Sequence, residues 1–145
     1  MDVVVDLDGT LADCTHRLHH IRGHGRKNWD AFFAGCHLDQ PNPVIVALVK
    51  ALQKEHRLIF CSGRPERTRR ATTQWLQNHL GLTPEALYMR GDHDRRADDI
   101  VKRELLARMR ADQFEPKLAI DDRRRVVEMW RAEGLVCAQV AEGDF

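Results

Sequence analysis

The segment DVVVDLDGT, at residues 2–10, combines a run of β-branched apolar residues with three aspartates and a glycine. The apolar run predicts a buried strand, and Gly9 predicts the turn that ends it. Asp6 and Asp8 then stand where the strand ends, close enough to repel each other unless one is protonated or both share a cation. Carboxylate oxygens of this kind suit a hard cation such as Mg²⁺.

The rest of the chain alternates between strand patterns and helix patterns. Strands are predicted at 57–61, 86–89, 117–120 and 135–140, and helices from Pro43 onward and at 65–80, 98–110 and 123–133. Such alternation predicts an α/β fold, here a Rossmann-like parallel sheet with helices on both faces. We expect residues 1–145 to form a single domain, in which the histidine- and glycine-rich stretch at 13–42 is a small cap insertion.

Composition limits the classes of protein to which the chain can belong. Of its 145 residues, 43% are apolar and 31% are charged, as in an ordinary globular domain. The net charge of +1 creates no global field toward nucleic acid or a membrane, so any attraction to a polyanion has to be local. The apolar runs are too short to cross a bilayer, no signal peptide is predicted, and the scattered cysteines indicate reduced thiols in a cytoplasmic protein.

Two more polar clusters follow predicted strands. Ser62-Gly63-Arg64 comes after the second strand and Asp121-Asp122 after the fourth. Because the carboxyl ends of parallel strands share one edge of the sheet, where ligands bind, both clusters should meet Asp6 and Asp8. A hydroxyl, free backbone N–H groups and the start of a helix can hold an anionic oxygen, so an anion site is expected beside the cation site.

Ordinary structural explanations of these motifs stay open at this point. Aspartate and glycine are common in turns, and SGR also fits a simple strand-to-helix turn. Asp122 can cap the helix predicted from Arg123. Lys102 can form an i,i+4 ion pair with Asp98 on the helix at 98–110.

Two other motifs compete for the chemistry. Cys61 and Arg67 have the C-x5-R spacing of cysteine-dependent phosphatases, but Cys61 ends an apolar run and is expected to point into the core. The histidines at 16–24 suggest zinc, yet neither a cysteine pair at ligand spacing nor an H-E-x-x-H motif accompanies them. A polar loop is therefore the favoured interpretation of that stretch.

Taken together, four motifs in order resemble the haloacid dehalogenase superfamily of phosphohydrolases: DLDGT at 6–10, SGR at 62–64, Lys102, and DD at 121–122. Within that superfamily the chain is most similar to the 3′-phosphatase domain of bacteriophage polynucleotide kinase-phosphatase. The similarity is densest in DDIVKRE at 98–104, in KLAIDDRRRVVEMWRAEG at 117–134 and in the closing run QVAEGDF. The phage enzyme also has a kinase domain with a P-loop, a motif that residues 1–145 do not contain.

The resemblance implies a role for each matching residue. Asp6 would be the nucleophile that becomes an aspartyl-phosphate, and Asp8 would be the general acid, with a backbone carbonyl that binds the metal. The other implied catalytic residues are Arg17, Ser62 and Arg64 near the phosphate, Lys102 as the neutralising lysine, and Asp98, which would orient Lys102. The implied ligands of Mg²⁺ are Asp6, Asp8 and Asp122, with Asp121 beside them.

The expected function is that of a Mg²⁺-dependent phosphomonoesterase that removes a terminal phosphate, on the resemblance a 3′ phosphate, from DNA or RNA ends. Arginines in RPERTRR (64–70) and basic residues at 17–27 are expected to meet backbone phosphates. The expected partners are nucleic-acid ends, without a membrane; a kinase or ligase of end repair and a second copy of the chain stay open. The alternatives are a small-molecule phosphatase such as a nucleotidase and a non-catalytic module that binds nucleic-acid ends.

Overall fold

The segment DVVV at residues 2–5 forms the central strand of a parallel sheet in the computed structural model, which describes residues 1–84 and 86–143. In chain order the strands are β1 (Asp2–Val5), β2 (Ala12–Asp13), β3 (Gln40–Pro41), β4 (Arg57–Pro65), β5 (Leu87–Arg90), β6 (Pro116–Arg123) and β7 (Val136–Gly143). The α-helices are α1 (Trp29–Ala34), α2 (Pro43–Gln53), α3 (Arg69–Leu80), α4 (Asp98–Ala111) and α5 (Arg124–Ala132). Short 3₁₀ helices lie at Thr15–His20, Cys36–Leu38 and Glu66–Thr68.

The main sheet has five parallel strands in the order β5-β4-β1-β6-β7. Successive residues of a strand point to opposite faces of the sheet. Val4 accordingly packs in a core cluster with residues of α4 and α5, whereas Val3 and Val5 pack in a second cluster with residues of α2 and α3. The sheet is therefore covered by helices on both faces, and the predicted Rossmann-like α/β fold is confirmed.

Local capping sets the ends of two helices that flank β4. The side chain of Asn42 accepts a hydrogen bond from the N–H of Val44 at 3.3 Å, and Pro43 occupies the first turn of α2. Gly81 ends α3 with a φ of 69°, in the left-handed region that glycine adopts without a steric penalty. Both signals were readable in the sequence.

One predicted helix begins later than expected. We predicted a helix at 65–80 directly after SGR, but β4 continues to Pro65 and α3 begins at Arg69, after the 3₁₀ turn at Glu66–Thr68. Proline disfavours the helical conformation of the residue before it, so Arg64 stays extended. The prediction that a helix begins directly behind SGR is therefore wrong.

The stretch between β1 and α2 has its own small framework. β2 pairs antiparallel with β3, and α1 and two 3₁₀ helices lie between these strands. Cys14, Leu18, Ile21 and Phe32 form a separate apolar cluster inside this framework. Trp75 of α3 donates a 2.8 Å hydrogen bond from Nε1 to the carbonyl of Asp39, which attaches the stretch to the main sheet's helices.

Across the residues that the structure describes, no helix combines the length and the apolar content that a membrane span requires.

Candidate active site

Lys102 of α4 joins two strands through their terminal aspartates. Its Nζ atom donates hydrogen bonds to Oδ1 of Asp6 at 2.7 Å and to Oδ2 of Asp121 at 3.0 Å, and all three side chains are buried. Asp98, the i,i+4 neighbour of Lys102 on α4, lies farther from the ammonium, at 3.6 Å. The helix pair therefore exists, but the shorter contacts of Lys102 are with the sheet.

Three carboxylates crowd together at the ends of β1 and β6. Asp6, Asp121 and Asp122 each place a carboxylate oxygen within 4.8 Å of the others. Burial and the charge of Asp121 raise the pKa of Asp6 well above its usual range, and the same two causes raise the pKa of Asp122 to about 6. A hard cation would relieve this repulsion, so the oxygen donors present here fit Mg²⁺.

The carboxylate of Asp122 packs against two glycines at positions that leave no room for a Cβ atom. A Cβ atom on Gly9 would lie 2.2 Å from Oδ2 of Asp122, and one on Gly143 would lie 2.0 Å from the same oxygen. Gly9 also has a φ of 85°, in the left-handed region. The Thr10 hydroxyl lies 3.0 Å from Oδ2 of Asp6 and 3.3 Å from Oδ1 of Asp122, and its single proton can be donated to either oxygen.

The capping explanation of Asp122 is wrong. Helix α5 begins at Arg124, its N-cap is Arg123, and no side chain caps it. β6 runs through both aspartates to Arg123, three residues beyond the strand predicted at 117–120. Asp122 is thus a strand-end carboxylate that points toward Thr10 and the two glycines.

Both carboxylate oxygens of Asp121 accept hydrogen bonds from other groups of the protein. Oδ2 accepts hydrogen bonds from Nε1 of Trp130 at 3.0 Å and from Lys102. Oδ1 accepts hydrogen bonds from the backbone N–H groups of Asp122 at 2.9 Å and of Arg123 at 3.2 Å. Asp121 therefore fixes Lys102 and the end of β6.

The carboxyl group of Asp8 turns away from the other aspartates. Its Oδ1 atom accepts hydrogen bonds from Nη2 of Arg64 at 2.6 Å and from Nη2 of Arg17 at 2.7 Å. Burial alone would raise the pKa of Asp8, but Arg64 and Arg17 outweigh it and lower that pKa to about 2. Of the predicted metal ligands, Asp8 is thus the one whose side chain stands outside the acidic cluster.

Asp39 is a member of the site that the sequence analysis missed. It accepts hydrogen bonds from Nε and Nη2 of Arg17 at 2.8 and 2.6 Å, and from Nη2 of Arg64 at 3.1 Å. His16 contacts its Oδ1 atom at 2.7 Å. Asp39 lies in the irregular stretch at 13–42, where no periodicity or motif marks it, so only its contacts reveal its role.

The remaining predicted residues lie at the end of β4 and the start of α4. The Oγ atom of Ser62 accepts a hydrogen bond from the Arg64 N–H at 3.1 Å, and Ser62 is buried. A Cβ atom on Gly63 would meet Oδ1 of Asp98 at 2.2 Å, so this glycine lets α4 approach the strand. Burial opposes ionisation of Asp98, but Lys102 and other cations outweigh it and lower the pKa of Asp98.

Neither competing motif forms a site. Cys61 is fully buried in the core, where burial raises the pKa of its thiol, and Arg67 binds Asp30 through Nη2 at 2.8 Å. The C-x5-R hypothesis is therefore wrong. Within residues 1–84 and 86–143, the metal-ligating groups that cluster in threes are the aspartates above, and the histidines at 16–24 are not among them.

The site opens into a cleft of about 1220 Å³. Residues 26–33, the loop before α4 and the start of α5 form its walls. The arginines at 64–70 do not form one surface along it: Arg64 is buried, Arg67 lines the cleft, and Arg69 binds Glu66 at 2.7 Å and lines a separate groove. The expectation that arginines at 64–70 meet backbone phosphates stays a prediction, and Arg67 is placed in the cleft where it could do so.

Comparison with known proteins identifies the kind of domain that carries this site. The family described as the polynucleotide kinase PNKP phosphatase domain matches residues 1–145. The chain belongs to this family. It is a phosphatase domain of the haloacid dehalogenase type, and its reaction class is phosphoric monoester hydrolysis.

Individual relatives agree with the family. A chain of the Pnkp1/Rnl/Hen1 complex is 32% identical to the phosphatase domain, with a TM-score of 0.82. A chain of the Pnkp1/Rnl/Hen1 RNA repair complex is 31% identical, with a TM-score of 0.80. Each match covers 99% of the domain. A protein of Autographa californica nuclear polyhedrosis virus, named as a bifunctional polynucleotide kinase/RNA ligase, is 28% identical over 131 residues, or 89% of the domain. The haloacid dehalogenase-like hydrolase SP0104 of Streptococcus pneumoniae shares the fold, with a TM-score of 0.63 at 15% identity over 95% of the domain and 83% of its own chain.

The phosphatase domain corresponds to only part of its nearer relatives. It spans 17% of the viral protein, and 46% and 43% of the chains in the two Pnkp1/Rnl/Hen1 structures.

Proposed function

We propose that this phosphatase domain removes 3′ phosphates from nucleic-acid ends, with Mg²⁺ as cofactor and Asp6 as nucleophile. The observation that carries the proposal is the position of Lys102, which is hydrogen-bonded to both Asp6 and Asp121 beside the cluster of carboxylates. Burial would lower the pKa of Lys102, but Asp121 and Asp6 outweigh it and raise that pKa well above the usual range. The ammonium therefore stays charged and can neutralise an incoming phosphate.

Asp6 begins the reaction. One of its carboxylate oxygens forms a bond to phosphorus while the bond from phosphorus to the 3′ oxygen breaks, which leaves an aspartyl-phosphate. Water then attacks the phosphorus of this intermediate, releasing inorganic phosphate and restoring Asp6. Lys102 and Thr10 hold the two oxygens of Asp6 and so set the direction of attack.

Asp8 supplies the proton for the leaving group. With its pKa lowered to about 2 by Arg64 and Arg17 against the effect of burial, Asp8 is ionised before substrate binds. The charge of a phosphoryl group bound beside Asp8 raises the pKa of Asp8, so that Asp8 takes up a proton from solvent and passes it to the 3′ oxygen. Asp8 takes a proton back from the water that attacks in the second step.

The acidic cluster would bind the cation. Asp6 and Asp122 would hold Mg²⁺ together with the backbone carbonyl of Asp8, and Asp121 would keep its own hydrogen bonds beside them. Bound there, Mg²⁺ would supply positive charge for the phosphoryl oxygens. Ser62 and Arg64 of β4, with Arg17 of the stretch at 13–42, would complete the phosphate site around Asp8, and Asp98 would orient Lys102.

The relatives favour RNA ends and a role in repair. One matching chain belongs to an RNA repair complex, and the viral relative is named as a polynucleotide kinase/RNA ligase. By analogy we propose that the domain works with kinase and ligase activities in end repair. A cytoplasmic location stays a prediction, and the buried free cysteines would stay reduced there. The role of residues 13–42 as a cap also stays a prediction, and a homo-oligomeric state stays open.

The decisive experiment compares matched oligonucleotides that carry one phosphate at the 3′ or the 5′ end. RNA and DNA versions are assayed for phosphate release with Mg²⁺ and after chelation, beside a nucleoside 3′-monophosphate. We expect Mg²⁺-dependent release that is fastest from the 3′-phosphorylated oligonucleotide, and none from a folded Asp6→Asn variant. Equal kcat/KM for the mononucleotide and the oligonucleotide would favour the nucleotidase alternative.

A further inference from the structure

Trp29 is a large aromatic residue that the fold leaves open to the active-site cleft. Its exposed fraction is 38%, whereas Trp75 and Trp130 are 2% and 1% exposed. It begins α1 and lines the same cleft as Asp6 and Asp8. An indole ring contributes most to stability or binding when it is buried. An exposed indole beside a catalytic site therefore points to a contact with the substrate.

Neighbouring rings hold Trp29 in place. Phe33 stacks against it, with ring centroids 5.9 Å apart and planes at 26°. Phe32 meets it edge-on, at 5.7 Å and 90°. Both arrangements are favourable for aromatic pairs, and all three residues belong to one helix. The indole is therefore a preformed flat surface that needs little ordering when a ligand binds.

Phe32, which packs against Trp29, also contacts the proposed catalytic residues. The guanidinium of Arg17 lies 4.3 Å from the ring centroid of Phe32 and donates a 3.1 Å hydrogen bond to the Phe32 carbonyl. The same guanidinium donates to Asp8 at 2.7 Å. The aromatic surface thus keeps a defined position relative to the residue that protonates the leaving oxygen.

Two cations that shortly precede Trp29 in the chain line the same cleft and have no carboxylate partner among the described residues. Most other basic residues of the cleft have one, as Arg67 has in Asp30 at 2.8 Å. Arg26 and Lys27 are exposed, line the cleft and form no such pair, and Nζ of Lys27 lies 5.6 Å from the Trp29 ring centroid. A partly exposed indole beside cations that have no carboxylate partner is the pairing that a nucleobase and its backbone phosphate require.

We infer that Trp29 stacks on a nucleobase at the phosphorylated end, and that Arg26 and Lys27 contact the adjoining backbone phosphate. Because a base has to be unpaired to stack on a side chain, the domain should select single-stranded ends. The inference rests on the proposed function and extends it from the reacting phosphate to the nucleotides that carry it.

The test compares Trp29→Ala and Trp29→Phe with Leu38→Ala, which removes an exposed apolar side chain that does not line the cleft. The substrates are a 3′-phosphorylated oligonucleotide, the same oligonucleotide with abasic terminal nucleotides, and glycerol 2-phosphate, which has no base. We expect Trp29→Ala to lower kcat/KM for the first substrate about 5- to 100-fold and to leave the other two unchanged. Trp29→Phe should retain most of the activity, and Leu38→Ala all of it.

Binding is measured separately by tryptophan fluorescence, and the emission of Trp29 is taken as the difference between the Asp6→Asn protein and the same protein with Trp29→Phe, since the buried Trp75 and Trp130 also emit. In the Asp6→Asn protein, which does not turn over, the oligonucleotide should quench this emission and its abasic form should not. Equal losses on glycerol 2-phosphate would overturn the inference and show that Trp29 only supports the fold. Unchanged kcat/KM without quenching would overturn it in favour of a protein-binding role for Trp29, with the proposed function intact. If wild type hydrolyses glycerol 2-phosphate but no oligonucleotide, the proposed function itself fails.

Discussion

The Nζ atom of Lys102 donates a 2.7 Å hydrogen bond to Oδ1 of Asp6, across 96 residues of sequence. We predict that Asp6→Asn abolishes turnover, by about 1,000-fold or more, since the amide keeps the shape of the side chain but is not a nucleophile. The fold should not suffer, because the substitution removes one of three crowded carboxylates. Steady-state kinetics and the free energy of unfolding without Mg²⁺ measure the two effects.

Cys61→Ser is the matched control for that prediction. Cys61 packs in the core and its thiol is not ionised, so the substitution should preserve kcat for folded protein. Substantial activity in purified Asp6→Asn would exclude Asp6 as the nucleophile. Loss of activity in a stable Cys61→Ser protein would revive the cysteine mechanism.

Gly143→Ala should weaken Mg²⁺ binding although it replaces none of the carboxylates. The new methyl group would lie 2.0 Å from Oδ2 of Asp122, so the carboxylate has to move. We expect the Mg²⁺ concentration for half-maximal activity to rise roughly 10- to 100-fold, the usual cost of displacing the support of a metal ligand. Activity is measured in a Mg²⁺ titration, after chelation has been shown to remove it.

Gly25→Ala is the control for this titration, because a Cβ atom there meets nothing within 4 Å. Its half-activating Mg²⁺ concentration should equal that of the wild type. Identical Mg²⁺ curves for Gly143→Ala and Gly25→Ala would show that Asp122 does not hold the cation.

Much of this site followed from local sequence, and the missed parts have a common physical reason. Asp6 and Asp122 stood out because each follows a run of apolar residues that predicts a strand, and the family resemblance then implied their roles. Asp39 and Gly143 were missed because their roles are contacts with Arg64 and Asp122, far away in the chain and independent of any local pattern. The late start of α3 was also missed, although Pro65 was a local signal for it.

Asp2 should contribute stability that disappears in acid. Its carboxylate accepts hydrogen bonds from Nε and Nη2 of Arg57 at 2.7 and 2.9 Å and from the Glu115 N–H at 2.7 Å, and the bonds from Arg57 chiefly lower the pKa of Asp2. A carboxyl group with a lowered folded-state pKa stabilises the fold above its unfolded pKa of about 3.9. That stabilisation is lost as the pH falls through the folded-state pKa.

We therefore expect Asp2→Asn to reduce the free energy of unfolding by about 1 kcal/mol at pH 7, a modest value because Arg57 is half exposed. Urea unfolding of both proteins at neutral pH and again below the folded-state pKa of Asp2 measures the difference, which should vanish at the lower pH. Glu55→Gln, at an exposed position, should show no difference at either pH. A loss of the same size at both values would mean that the hydrogen bonds of Asp2 act without its charge.

The response of the oligonucleotide reaction to salt should be shallow, because most basic residues of the cleft are already paired. Arg26, Lys27 and Arg95 line it without a carboxylate partner among the described residues. Three contacts with a single strand predict that log kcat/KM falls against log salt concentration with a slope of about −2. The double variant Arg26→Ala/Lys27→Ala should reduce that slope to about −0.7. Arg69→Ala, outside the cleft, should leave it unchanged. A much steeper slope, or one that the double variant does not alter, would mean that the strand follows a different path across the domain.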